Sequence, residues 1–126
     1  MSTGWQWCLP VCGISGIELE VEMNDKHSTH SSYREKLVEH LFVGELLRLL
    51  WRKDFFNLGV LKPEVDNDGY DVVLAYGTVL RHVQLKCSLV SSKADGQNVN
   101  AALARKSGGC VVWILVNDDL SFVSFR

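Results

Sequence analysis

A chain of 126 residues with 47% hydrophobic content can bury one core but hardly two, so a single small domain is expected. Its four cysteines lack the close pairing of a zinc knuckle or a disulfide scaffold, and no apolar run is long enough to span a bilayer. The net charge of −2 is uneven: residues 1–30 set Lys26 against Glu18, Glu20, Glu22 and Asp25, while the remainder sums to +1, so any affinity for a polyanion has to come from a local patch.

The N-terminal stretch from Trp5 to Cys12 is apolar but has no cationic segment before it, which reads as neither a signal peptide nor an anchor. Ile17, Leu19 and Val21 alternate with Glu18, Glu20 and Glu22, the pattern of a strand with one wet face over residues 16–22. Met23 resembles a natural start, and His27 to Ser32 has linker composition. Residues 1–30 are therefore expected to be an arm and linker ahead of a domain at 31–126, with residues 1–22 dispensable for folding. Such an arm suits addition to a sheet edge of its own or another subunit, and so a homodimer.

The long helix is the clearest element. Ser32-Tyr33-Arg34-Glu35 has capping-box spacing, and residues 33–53 follow with no proline and one glycine, Gly44. Leu37, Val38, Leu41, Phe42, Leu46, Leu49 and Leu50 recur at three- and four-residue steps, and Val43 and Leu47 widen the stripe until the helix reads as buried on more than one side. Three glutamates ride on it. Glu35 belongs to the capping box, Glu39 lies on the Phe42 and Leu46 side, and Glu45 sits among aliphatics at the edge of the Arg48 and Arg52 face.

An acidic loop comes next, with Glu64, Asp66, Asp68 and Asp71. Asp66-Asn67-Asp68-Gly69 is ordinary turn chemistry. Asp71 differs, because it leads into Val72-Val73-Leu74, where an unpaired carboxylate is costly; it needs a partner, and a metal ion would serve. The runs Tyr70 to Tyr76 and Val79 to Leu89, separated by Gly77-Thr78, predict a hairpin. Alternation puts His82, Gln84 and Lys86 on one face of its second strand and Arg81, Val83 and Leu85 on the other. Half-exposed strands often carry such a polar trio simply toward water, and the acids ahead of it are what suggest a site.

Downstream, Asn98 to Lys106 predicts a short helix stopped at Ser107-Gly108-Gly109, Cys110 to Val116 a central strand buried on both faces, Asn117-Asp118-Asp119 a turn, and Ser121 to Arg126 a last strand. Cys87 and Cys110 fall in apolar strand sequence as core thiols, consistent with a reducing, cytoplasmic setting and no membrane association.

Asp71, followed thirteen positions later by Gln84-Leu85-Lys86, resembles the PD-(D/E)xK nuclease superfamily, the restriction-endonuclease-like enzymes, in a Gln-x-Lys variant. The likeness covers roughly residues 31–117, and most of its weight lies in the order of elements: helix, Asp71, Gln84, Lys86. It implies an α/β restriction-endonuclease-like core, a mixed β-sheet flanked by helices, here with an N-terminal β arm. It also implies metal-dependent phosphodiester hydrolysis with Mg²⁺ or Mn²⁺, on DNA in preference to RNA. Asp71, Gln84, Lys86 and Glu45 would be the catalytic set, with Asp71, Gln84, Glu45 and Glu64 toward the metal; an ion pair with Arg48 or Arg52 is the competing role for Glu45, and Glu39 is the alternative helix acid. Arg48, Arg52, Arg81, His82 and Lys93 would contact nucleic acid, with Lys53, Arg105 and Lys106 as further basic positions. Gln84 stands where most of the family has an acid, which removes one negative charge. Hence the alternative reading is a catalytically inactive nuclease-fold module that binds nucleic acid or a protein.

Overall fold

The computed structural model describes residues 26–93 and 95–126, and the expected strand at 16–22 lies outside them. The chain divides into two units at Ser31/Ser32, and the architecture below is that of the second. In the first, residues 26–29 make a helical turn, with the His30 amide donating to the Lys26 carbonyl at 3.0 Å.

Helix α1 runs over Ser31–Arg52. Ser32 is already inside it, so the expected capping box at Ser32-x-x-Glu35 does not start the helix. The end is set by a change of backbone conformation: Asp54 takes a positive φ of 59°, and the Phe55 amide donates to the Leu50 carbonyl at 2.9 Å, closing off the last turn.

A five-stranded sheet follows: β1 (Gly59–Leu61), β2 (Val72–Tyr76), β3 (Val79–Leu89), β4 (Gly109–Val116) and β5 (Phe122–Phe125), in the spatial order β1-β2-β3-β4-β5. Strands β1, β2 and β3 form an antiparallel meander, β4 runs parallel to β3, and β5 is antiparallel to β4, so the class is α/β with a mixed open sheet. The hairpin lies where the sequence predicts it. Gly77, at φ 58°, makes the tight turn that a side chain would resist. Strand β1 has only three residues and carries no periodicity to reveal it.

The parallel β3–β4 pairing requires a crossover, and the expected helix at Asn98–Lys106 appears as one 3-10 helix, Ala101–Arg105. Asn100 caps it, its Oδ1 accepting the Ala102 amide at 2.9 Å.

Val38 of α1 packs on Ile114 and Val116 of β4, with Phe42, Leu85, Cys87, Leu89, Val112, Leu120 and Phe122 around them. These are the odd-numbered positions of β3 and the even-numbered positions of β4, so α1 covers one sheet face, and Gln84, Lys86 and Ser88 project from the other. Two expectations are corrected here. Among the described residues α1 buries only Val38 and Glu39 fully, leaving Tyr33, Leu37, Leu41, Leu47, Leu49 and Trp51 exposed, because a single sheet can cover only part of so wide a stripe. Strand β4 is likewise fully buried only at Ile114 and Val116. Cys87 and Cys110 are free thiols, and burial pushes the Cys87 thiol above its ordinary value. No helix among the described residues is long and apolar enough to cross a membrane.

Candidate active site

The site forms where β2 and β3 part. The ladder between them ends at Val72↔Val83, after which β3 continues with β4 alone as far as Leu89↔Val116. Asp71 sits at this fork and extends the ladder by one step in two ways. Its amide donates to the Val83 carbonyl at 2.8 Å, and its carboxylate Oδ2 accepts the Leu85 amide at 2.6 Å. The side chain thus replaces the strand carbonyl that would have received Leu85, an ionic acceptor being worth about 1.5–3 kcal/mol in such a bond. Because Leu85 lies between Gln84 and Lys86, the same bond fixes Asp71 against the Gln-x-Lys stretch.

The approach of Asp71 depends on Gly69. This glycine is buried, holds φ at 75°, and has the Asn100 side chain where a Cβ would stand, so the acidic loop closes against the cap of the 3-10 helix. Lys106 ties the other side of that loop, 2.8 Å from Asp68 and over the ring of Tyr70 at 5.8 Å. Tyr70 meets His82 edge to face at 4.8 Å. His82 Nδ1 lies 2.7 Å from the Ser107 carbonyl, which can only accept, so the proton is on Nδ1. Asp68 and His82 therefore act as struts of the loop.

The helix glutamate whose charge acts on Asp71 is Glu39, which is buried. Its Oε2 accepts Lys36 Nζ at 3.1 Å, and its Oε1 is 2.7 Å from Lys62 Nζ, just beyond β1. Lys62 closes on Oε1 as a short ion pair and stands first among the groups that hold Glu39 ionised. Burial works to raise the pKa of Glu39, but the two lysines outweigh it and hold the carboxyl below its ordinary value. Asp71 shifts the opposite way. Burial pushes it up, the charges of Glu39 and Asp66 add to that, and the Leu85 amide and Lys36 offset only part. Glu39 is thus held ionised while Asp71, which feels its charge, is reluctant to ionise.

Gln84 lies one position before Leu85 in β3. Its Oε1 is buried and has no hydrogen-bond partner, an omission that costs on the order of 1–3 kcal/mol unless something else occupies the acceptor. Among the described residues no three His, Cys, Asp or Glu side chains gather into a metal-holding group, and Gln84 projects from the sheet face opposite α1, which carries Glu39. Asp71 and Gln84 each offer a hard oxygen of the kind Mg²⁺ and Mn²⁺ accept. Lys86 is partly buried on the strand position after Leu85.

The other expected residues lie elsewhere. Glu45 is six residues along the helix from Glu39, about 9 Å, and pairs with Arg48 on an exposed turn. With Arg52 it lines a cleft of about 710 Å³ between α1 and the β4–β5 end, walled by Phe42, Leu46, Val112 and Phe122. Glu64 is exposed in the loop, and it is Asp66 whose charge reaches Asp71. Arg81 reaches the Leu80 carbonyl at 3.2 Å, and Lys93 is exposed in the loop after β3. Sequence reasoning missed Lys36, Lys62 and Asp66; Lys36 stands three residues before Glu39, the one signal that marked the pair in advance.

The chain matches no family model, no curated protein and no solved structure.

Proposed function

We propose that residues 32–126 are a restriction-endonuclease-like domain that hydrolyses phosphodiesters, DNA in preference to RNA, with Mg²⁺ or Mn²⁺. The observation that carries this reading is the Asp71 carboxylate bound to the amide between Gln84 and Lys86, with Glu39 in electrostatic contact. The order of elements supports it: a helix bearing an acid, a hairpin bearing Asp71 and Gln-x-Lys, and a mixed sheet in which the next strand runs parallel. Asp71 and the Gln84 amide oxygen would hold the ion, and Glu39 would act through the field it sets at Asp71. The bound ion supplies Lewis-acid polarisation of a phosphoryl oxygen and acidifies a coordinated water. The residues' own work is narrower. Asp71 is fixed by Leu85, Gln84 presents a neutral oxygen, and Lys86 offers a positive charge beside them for the negative charge that develops on phosphate.

The test is cleavage of plasmid and single-stranded DNA with Mg²⁺ or Mn²⁺, comparing wild type with Asp71→Ala and Lys86→Ala from identical preparations. Loss of cleavage in both variants, on the order of a hundredfold or more, is expected. Equal activity in all three overturns the reading. A second reading, a nuclease-fold module that binds without cutting, is favoured by Gln84 itself, since an amide in place of an acid lowers the negative charge of the site. It expects binding unaffected by metal and tolerant of Asp71→Ala.

A further inference from the structure

Strand β5 ends the sheet, and among the described residues no strand pairs with its outer edge. Arg126 exchanges both backbone hydrogen bonds with Trp113, at 2.8 and 2.9 Å. Antiparallel alternation then turns the amide and carbonyl of Phe125 outward, to the open edge. The strand reads Phe-Val-Ser-Phe, with neither a charge nor a proline, the side chains that commonly keep a sheet edge from pairing. Val123 and Phe125 are exposed on it.

The two faces beside this edge differ in chemistry. On the α1 face, Phe122 stands opposite Val116 and Phe125 opposite Ile114, and both rings line the cleft of about 710 Å³ that reaches the exposed Leu41 and Leu49 of α1. On the other face, Ser124 stands opposite Leu115, and the Arg126 guanidinium lies 5.2 Å over the ring of Trp113. A strand added to β5 meets an apolar trough with one set of its side chains and a cation with the other. Residues 17–22, which lie outside the described residues, read Ile-Glu-Leu-Glu-Val-Glu: three aliphatics at one parity and three glutamates at the other. Their apolar set matches the trough and their acidic set matches Arg126.

We infer that the outer edge of β5 and the cleft beside it are a docking surface for residues 17–22 of a second copy of this chain, which add as a further strand with Ile17, Leu19 and Val21 toward the cleft and the glutamates toward Arg126. Main-chain hydrogen bonds supply affinity, and the alternation fixes which face of the added strand meets the cleft. Each copy gives one segment and takes one, so the contact closes as a two-fold dimer. Asp71, Gln84 and Lys86 take no part in it, so it is independent of the phosphodiesterase reading.

Sedimentation velocity of the full chain over a concentration series tests this on wild type, Leu19→Lys, Val123→Lys and an equal mixture of the two variants, with thermal melts to establish folding. Wild type is expected to dimerise, and each variant alone to self-associate more weakly by on the order of thirtyfold or more, because a lysine in the cleft or on the edge spoils both reciprocal contacts. The mixture keeps one intact contact, the segment of the Val123→Lys chain on the edge of the Leu19→Lys chain, and should form heterodimers. A monomeric wild type, or a dimer that both variants leave intact, overturns the inference. A mixture no more associated than its components overturns the exchange between copies. Hydrogen exchange on the wild type needs no variant to fold: the Phe125 amide should be protected at high concentration and lose that protection on dilution. Fast exchange at every concentration overturns the surface, and protection indifferent to dilution overturns the second copy as its occupant.

Discussion

At the scale of the residue, Glu39 and Asp71 respond to acid in opposite senses. Asp71 has a folded pKa above its unfolded value, so the folded protein binds that proton more tightly, and stability falls as pH rises from the ordinary carboxylate range through the raised folded value. Glu39 has a lowered folded pKa; its contribution is present above the ordinary range and is lost as pH falls through the folded value. Asn at position 71 keeps an acceptor for the Leu85 amide and sheds the buried charge. Asp71→Asn should therefore melt a few degrees above wild type at pH 7, with the gap closing toward about pH 4, as read by thermal melts across pH. A lower melting point at pH 7 would show that the ionic bond to Leu85 outweighs the cost of burial. Gln84 permits a complementary experiment, since its buried oxygen lacks a donor. Gln84→Glu adds a negative charge at the strand position before Leu85 and should raise Mn²⁺ affinity by on the order of tenfold, read by electron paramagnetic resonance; unchanged or weaker binding would place Oε1 outside the ion's reach.

At the scale of the element, the packing divides sharply between the two sides of α1. Ile114 is fully buried under Val38, whereas Leu41 is 39% exposed. Ile114→Ala should cost about 2–5 kcal/mol and Leu41→Ala less than about 1 kcal/mol in urea unfolding; equal costs would mean that the outer face of α1 is covered. Gly108, at φ 58° with the Leu80 carbonyl where a Cβ would stand, fixes the crossover against β3. Gly108→Ala should lose about 1–3 kcal/mol in the same assay. The hairpin, β4, the turn after it and β5 were legible because period, glycine and β-branched content agree over those runs. Strand β1 was not, at three residues, and the short helix expected over Asn98–Lys106 is a 3-10 helix confined to Ala101–Arg105. Glu39 and Glu45 both sit among aliphatics, and only the fold shows that the charge of Glu39 reaches Asp71 while Glu45 pairs with Arg48. Lys62 could not be foreseen, since its partner lies 23 positions earlier in the chain.

At the scale of the whole molecule, the charge distribution limits how any nucleic acid can be held. The chain carries −2, and several basic side chains are already spoken for: Lys36 and Lys62 by Glu39, Arg48 by Glu45, and Lys106 by Asp68. Arg52, Arg81 and Lys93 remain among the expected contacts, spread over the helix end, the hairpin and a loop. A phosphate backbone tracked by about three such groups gives a slope near −3 in a plot of log affinity against log salt, shallow beside the steep dependence of strongly basic DNA binders. Binding to a short DNA duplex, followed by fluorescence anisotropy from about 20 to 200 mM salt, is accordingly expected to be weak and only mildly salt-sensitive. The nuclease reading adds a second expectation, because a divalent ion at Asp71 and Gln84 would turn a local negative field positive. Affinity should then rise with Ca²⁺, an ion of the same hard-oxygen preference, and Asp71→Asn should remove the rise while leaving the salt slope unchanged. The noncatalytic module expects an affinity that Ca²⁺ leaves unchanged at constant ionic strength and that tolerates Asp71→Asn. A slope much steeper than −3 would mean that basic groups beyond these three, Lys53, Lys86 and Arg105 among them, also track the phosphate backbone.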